Sequence, residues 1–177
     1  MKARVVDANA GSADAEAAIR ALVASYAYAV LTADTVLWLS LWQEPAGSAG
    51  DPLSLDLNWA RAVSERWDSL GTVLLHVTTH LIRPLGPDRA NGRVFCLAQL
   101  DRTVEGRRHF VEQTIVYEDR YACTDGAWQF ATRRHLLWYG RSLPNPLEQR
   151  PANWPSSQVG CGVDLRAALE PLPGQGP

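Results

Sequence analysis

VLLHVTTHLIR, residues 73–83, is the stretch on which the fold turns. Its β-branched residues and leucines favour a pleated strand over a helix, and Pro84-Leu-Gly-Pro87-Asp88 closes it with a turn. Downstream the same character repeats. Gly92 to Val104 reads as a second strand, with Glu105-Gly106 as a hairpin turn. Arg108 to Cys123 reads as a third, long strand. Thr124-Asp-Gly-Ala127 is a second hairpin turn, because Asp-Gly accepts the left-handed conformation such turns need. Trp128 to Tyr139 is the fourth strand.

Upstream the period changes. Ile19, Leu22, Val23, Tyr26, Ala27 and Val30 fall on one face of a helix of about five turns. Ser12 or Asp14 can cap it, with Glu16 near its positive end. Thr32-Ala33-Asp34 breaks the pattern, and Asp34 can cap a second helix carrying Val36, Leu37, Leu41 and Trp42. Gly47, Gly50 and Pro52 mark a loop. A third helix is expected from Asp56 to Leu70, with Leu57, Ala60, Val63, Trp67 and Leu70 inward. Three helices followed by an antiparallel meander is an α+β plan with the helices on one face of the sheet.

The chain has 177 residues, enough for one domain with a sizeable core. A flexible N-terminus is expected over 1–13, the folded domain over 14–142, and a Pro-rich tail over 143–177. Seven of the 11 prolines follow residue 143, yet the tail carries Trp154, Val159 and Leu165. Those anchors suit a segment that packs across the body, as a lid would. The formal charge is −2, so no basic surplus points to nucleic acid. Sixteen arginines stand against one lysine, Lys2, which excludes an interior Schiff-base lysine or a P-loop lysine. Cys96, Cys123 and Cys161 form no C-x-x-C, which argues for a reducing compartment and against a zinc ribbon. Neither a membrane span nor a signal-peptide pattern is visible, so a cytoplasmic location is expected.

His76 and His80 lie four residues apart, about 13 Å along a strand, too far for one metal to bridge. Strict alternation predicts that they share a face. Tyr117 and Asp119 share a face of the third strand with Gln113 and Ile115.

Three stretches carry a resemblance: Tyr26-Ala-Tyr-Ala-Val-Leu-Thr-Ala-Asp34; His76-Val-Thr-Thr-His80 followed by Gly86-Pro-Asp-Arg-Ala90; and Tyr117-Glu-Asp-Arg-Tyr121 with Asp125-Gly-Ala-Trp-Gln-Phe130 and Arg133-Arg134. In this order they resemble the SnoaL-like group of the NTF2-like superfamily, which includes ketosteroid isomerases, scytalone dehydratase, limonene epoxide hydrolase and polyketide cyclases. The resemblance covers residues 14–142. It implies a curved sheet wrapped by helices into a cone, an apolar pocket at its mouth and a homodimer, with neither cofactor nor metal. It gives a pocket rather than a reaction.

His76 matches the position of a catalytic histidine in scytalone dehydratase, and so is the implied general acid or base. Tyr26 matches a helix-1 tyrosine that in ketosteroid isomerases hydrogen-bonds a substrate oxygen. Asp119 lies near a pocket carboxylic acid of the same enzymes, and is expected either to donate a proton or to pair with an arginine. His80, Tyr117, Gln113, Trp38, Trp42, Trp59, Trp67 and Trp154 are the expected substrate-binding residues. Core packing is the alternative for the tyrosines and tryptophans. The pattern also departs from the family. The tyrosine–aspartate pair of scytalone dehydratase falls on Val30 and Leu31, and its second histidine near Leu100. The base of ketosteroid isomerases would lie in the 45–58 region, which holds Asp51 and Asp56.

The leading expectation is therefore a cofactor-independent dehydratase, isomerase or cyclase acting by acid–base chemistry on a small, apolar, oxygenated substrate such as a polyketide, terpenoid or steroid-like ketone. A non-catalytic ligand-binding or accessory domain is the second. An epoxide hydrolase, which needs two inward carboxylates flanking an arginine, is the third.

Overall fold

The computed structural model describes residues 8–45, 54–67 and 71–143. Helices α1 (Ala8–Thr32), α2 (Thr35–Ser40) and α3 (Leu57–Ser64) accompany a five-stranded sheet. Its strands are β1 (Ser54–Leu55), β2 (Val73–Pro84), β3 (Arg89–Val104), β4 (Arg107–Thr124) and β5 (Ala127–Leu143). The order across the sheet is β1-β5-β4-β3-β2, and every pairing is antiparallel. The α+β plan is as expected: helices packed on a curved, unclosed antiparallel sheet.

Local chemistry explains most of these boundaries. Glu105-Gly106 and Asp125-Gly126 have positive φ at both residues, as a two-residue hairpin turn matched to the strand twist requires. Asp34 accepts a hydrogen bond from Leu37 N at 2.9 Å and caps α2. Asp56 accepts one from Trp59 N at 3.1 Å and caps α3. Helix α1 starts at Ala8, earlier than expected, since the alanines before Asp14 propagate a helix well. Helix α3 ends at Ser64 rather than Leu70, where its last turn tightens and Arg66 N bonds Val63 O. Strand β1 was not foreseen, because two residues carry no readable alternation. Trp154 and the tail lie outside the described residues.

The core lies between α1 and the inner face of the sheet. Ile19, Leu22, Val23, Tyr26 and Val30 of α1 are buried against Val94, Cys96, Ile115, Tyr117 and Phe130. Antiparallel partners point to the same side, so the register fixes which residues look inward. One rung reads His80–Val94–Tyr117–His135, and the next reads Ile82–Gly92–Asp119–Arg133.

Bulges decide this register. On β2 the pairing jumps between Val77 and Thr79, leaving Thr78 as the extra residue. On β5 it jumps between Phe130 and Thr132, leaving Ala131, and again between Leu137 and Tyr139, leaving Trp138. Each inverts the alternation beyond it.

Candidate functional site

The first bulge separates the two histidines. His76 pairs with Leu97 on the outer face, where it is exposed and its Nε2 lies 3.3 Å from Gln99 Oε1. His80 pairs with Val94, which is wholly buried on the inner face. The expectation that both histidines share a face, with His76 as the acid or base in the pocket, is therefore corrected: a single extra residue turns His76 outward, and of the two only His80 reaches the interior.

The second bulge assembles the centre of the site. An unbroken hairpin from Asp125-Gly126 would set Thr132 opposite Asp119; the extra residue brings Arg133 there instead. Asp119 and Arg133 are 2% and 0% exposed, the only charged pair buried to this degree among the described residues. Arg133 Nε donates to Asp119 Oδ1 and Nη2 donates to Oδ2, both at 2.7 Å, a bidentate fork. Its guanidinium carbon lies 4.1 Å from the ring centres of Tyr26 and Tyr117 and 4.4 Å from that of Phe130. Burial alone would depress the Arg133 pKa; the carboxylate beside it more than offsets this and holds it above the ordinary value. Of the two roles expected for Asp119, pairing with an arginine is the one the geometry shows.

Tyr121 links this pair to His80. Its Oη donates to Asp119 Oδ2 at 2.6 Å and lies 3.0 Å from His80 Nε2. Since the only hydroxyl hydrogen goes to the carboxylate, the oxygen accepts from His80, which places the imidazole proton on Nε2. Nδ1 is then a free acceptor among the described residues. The ring of Tyr121 crosses β3 directly over Gly92. A Cβ at Gly92 would lie 2.6 Å from both Tyr121 Cε2 and Oη, so only glycine leaves the path open. Arg20 of α1 donates from Nη1 to the carbonyl of His80 at 3.1 Å, tying helix to strand at this point.

The imidazoles at either end of the rung share an electrostatic setting. His80 is half-buried; desolvation lowers its pKa and Arg20 and Arg133 lower it further, against the opposing pull of Asp119. His135 packs against Tyr117 at 5.2 Å between ring centres, and desolvation followed by Arg133 lowers its pKa too. Both are therefore neutral at neutral pH. One rung further along, Val77 and Leu137 face the same side and are 41% and 54% exposed, an apolar approach to the histidines. Burial pushes the Cys96 thiol between them up to about 11, so it is an inert wall.

The other expected residues are distributed differently. Tyr26 is 5% exposed, enclosed by Trp38, Trp42, Tyr117 and Phe130, and burial raises its pKa. Trp38, Trp42, Trp59 and Trp67 form one aromatic cluster. Trp38 Nε1 donates to Ala60 O at 2.9 Å and Trp67 Nε1 to Thr35 Oγ1 at 3.0 Å, so these rings brace the helices. Tyr117 forms the floor between the two histidines. Gln113 shares its face but stands about 20 Å along β4 from Asp119. Tyr121, Arg133, Gly92 and His135 were not foreseen as site residues. A lone glycine inside a strand is a signal of close approach and could have found Gly92. Among the described residues no three His, Cys, Asp or Glu side chains converge as metal ligands. No helix among them is long and apolar enough to cross a membrane.

The family model of the SnoaL-like domain matches residues 11–134. The chain belongs to the SnoaL-like domain family. Solved structures agree with this fold. A type 2 hexachlorocyclohexane dehydrochlorinase (LinA) is 18% identical with a TM-score of 0.68, covering 82% of this chain and 99% of that one. The LinA-type3 enzyme of Novosphingobium barchaimii is 19% identical, with a TM-score of 0.66 and coverage of 77% and 94%. A candidate scytalone dehydratase from Novosphingobium aromaticivorans is 17% identical, with a TM-score of 0.63 and coverage of 79% and 93%. No curated protein matches the sequence. At these identities the likeness speaks for the SnoaL-like fold alone, and the chemistry is argued from the side chains.

Proposed function

We propose that this SnoaL-like protein is a cofactor-independent lyase that eliminates water from a small, largely apolar, oxygenated substrate, with His80 as the base. The observation that carries the reading is the His80 imidazole, kept neutral by burial and fixed through Nε2, so that Nδ1 is presented as an acceptor. His80 Nδ1 takes a proton from the carbon next to a carbonyl. The C–H electron pair becomes the C=C bond, and the C–O pair leaves with a β-hydroxyl group. The imidazolium returns its proton to that oxygen, so the products are an enone and water. Asp119, held by Arg133 and Tyr121, serves as the anchor that orients His80, and stabilises its imidazolium form. Val77, Leu137 and Tyr117 supply the apolar contact surface.

The names of the solved relatives, dehydrochlorinases and dehydratases, describe eliminations and favour the same class. Isomerisation and aldol-type cyclisation begin with the same proton abstraction and differ in where the proton or carbanion goes next. The epoxide-hydrolase reading loses support, because Arg133 meets one carboxylate rather than two among the described residues. The binding-domain reading draws on the saturation of Asp119 and Arg133 by each other.

The test is hydrogen–deuterium exchange, followed by NMR, at the carbons flanking the carbonyl in a panel of β-hydroxyketones. The wild type should promote exchange and form enone, and His80→Ala should do neither. Exchange retained in His80→Ala would refute the base assignment. Saturable binding without exchange in the wild type would support the binding-domain reading.

A further inference from the structure

The opposite face of the sheet is not flat. A trough of about 780 Å³ lies there, within the size range of small-molecule sites. Its walls are outward-facing residues of two adjacent rungs: Arg83–Asn91–Arg120–Thr132, and Leu81–Arg93–Glu118–Arg134–Ser54. Gly92 and Asp119 belong to the intervening inward rung, so the thickness of the sheet separates the trough from His80.

The two rungs differ in what they lack. In the second, the Glu118 carboxylate on β4 is held from both neighbouring strands, by Arg93 at 2.6 Å and Arg134 at 3.1 Å. In the first, the polar side chains are two guanidinium groups, an amide and a hydroxyl, and no carboxylate is present. Arg83 and Arg120 are exposed and make no hydrogen bond or ion pair among the described residues. They flank Asn91 at two strand spacings, about 10 Å between backbones, close enough for two guanidinium groups to converge on one solute. The remaining acidic side chain at the rim, Asp56, is committed to capping α3. Four arginines thus face one trough in a chain whose formal net charge is −2.

We propose that this trough binds a small solute bearing two anionic groups, carboxylate or phosphate, clasped by Arg83 and Arg120 across Asn91. The planar guanidinium fork matches either oxyanion, and Glu118 shows the same mode of capture within the molecule. The inference is independent of the assignment of His80.

Calorimetric titration of the full chain, at constant ionic strength, tests it with pyrophosphate and citrate as the phosphate and carboxylate probes. At least one probe should bind saturably, and which one does so identifies the anion type. Arg83→Gln and Arg120→Gln should each weaken binding tenfold or more. Arg61→Gln, which removes an exposed arginine of α3 paired with Glu44, should leave it unchanged. Melting curves of the variants should match the wild type, since both trough arginines are exposed. Absence of saturable binding by either probe, or equal binding by the Arg83 and Arg120 variants, would overturn the proposal.

Discussion

Gly92→Ala puts the linkage between the buried ion pair and His80 to a quantitative test. Gly92 does not have a positive φ, so alanine fits its backbone. Gly costs a strand interior about 0.5–1 kcal/mol relative to Ala, so with open space above it the substitution would stabilise. The space is not open. The new methyl would stand 2.6 Å from Tyr121 Cε2 and Oη, about 0.8 Å inside ordinary contact. Tyr121 is 2% exposed and stacks on Phe130 at 5.6 Å, so the ring cannot retreat freely. Moving it costs about 1–3 kcal/mol of overpacking. It also stretches the hydrogen bond to Asp119, worth about 1.5–3 kcal/mol because the acceptor is charged. The net expectation is a destabilisation of roughly 2–5 kcal/mol by urea denaturation, from these ranges less the backbone gain. Tyr121→Phe removes the hydroxyl that the methyl strikes, so the double variant should lose less than the sum of the two single losses. Gly92→Ala within about 0.5 kcal/mol of wild type, or strict additivity in the cycle, would refute the crossing of Tyr121 over Gly92.

Asp119→Ala leaves a buried guanidinium without its partner and should cost about 3–5 kcal/mol, whereas Asp119→Leu with Arg133→Met should recover much of that loss in the same denaturation assay. Because His80 and His135 titrate below the ordinary 6.5, the unfolded chain binds more protons between that value and the lowered one. Stability should therefore rise with pH across this window and fall as the pH drops through it, as thermal melts would show. The proton-exchange rate should follow neutral His80, with an acid limb centred below 6.5; a midpoint above 6.5 would contradict the burial of the ring. His76→Ala should change neither the exchange rate nor the melting temperature, since the ring is exposed on the outer face. Lost exchange would return His76 to the reaction.

Much of the scaffold was legible because local chemistry dictated it. Asp-Gly and Glu-Gly demanded tight turns, and four strands followed to within a few residues at most ends. The apolar stripe of α1 named its own buried face. The site was less legible, for a definite reason. Thr78 and Thr79 suit a regular strand and a bulged one equally, so nothing local reveals that His76 and His80 part company. The sequence offers Asp119 an arginine partner, but that the partner is Arg133 depends on the extra residue at Ala131, which no propensity marks. Tyr121 was missed because its role depends on the absence of a side chain two strand positions away.

The bulges of β2 and β5 give the gene an uneven tolerance of length change. Loss of the codon for residue 78, 131 or 138 would straighten a strand while leaving every cross-strand partner in place. Loss of one codon elsewhere in β2 or β5 would turn the remainder of that strand inside out, exposing its core side chains and burying its charges. Among natural variants of this chain, single-residue deletions should therefore gather at those positions.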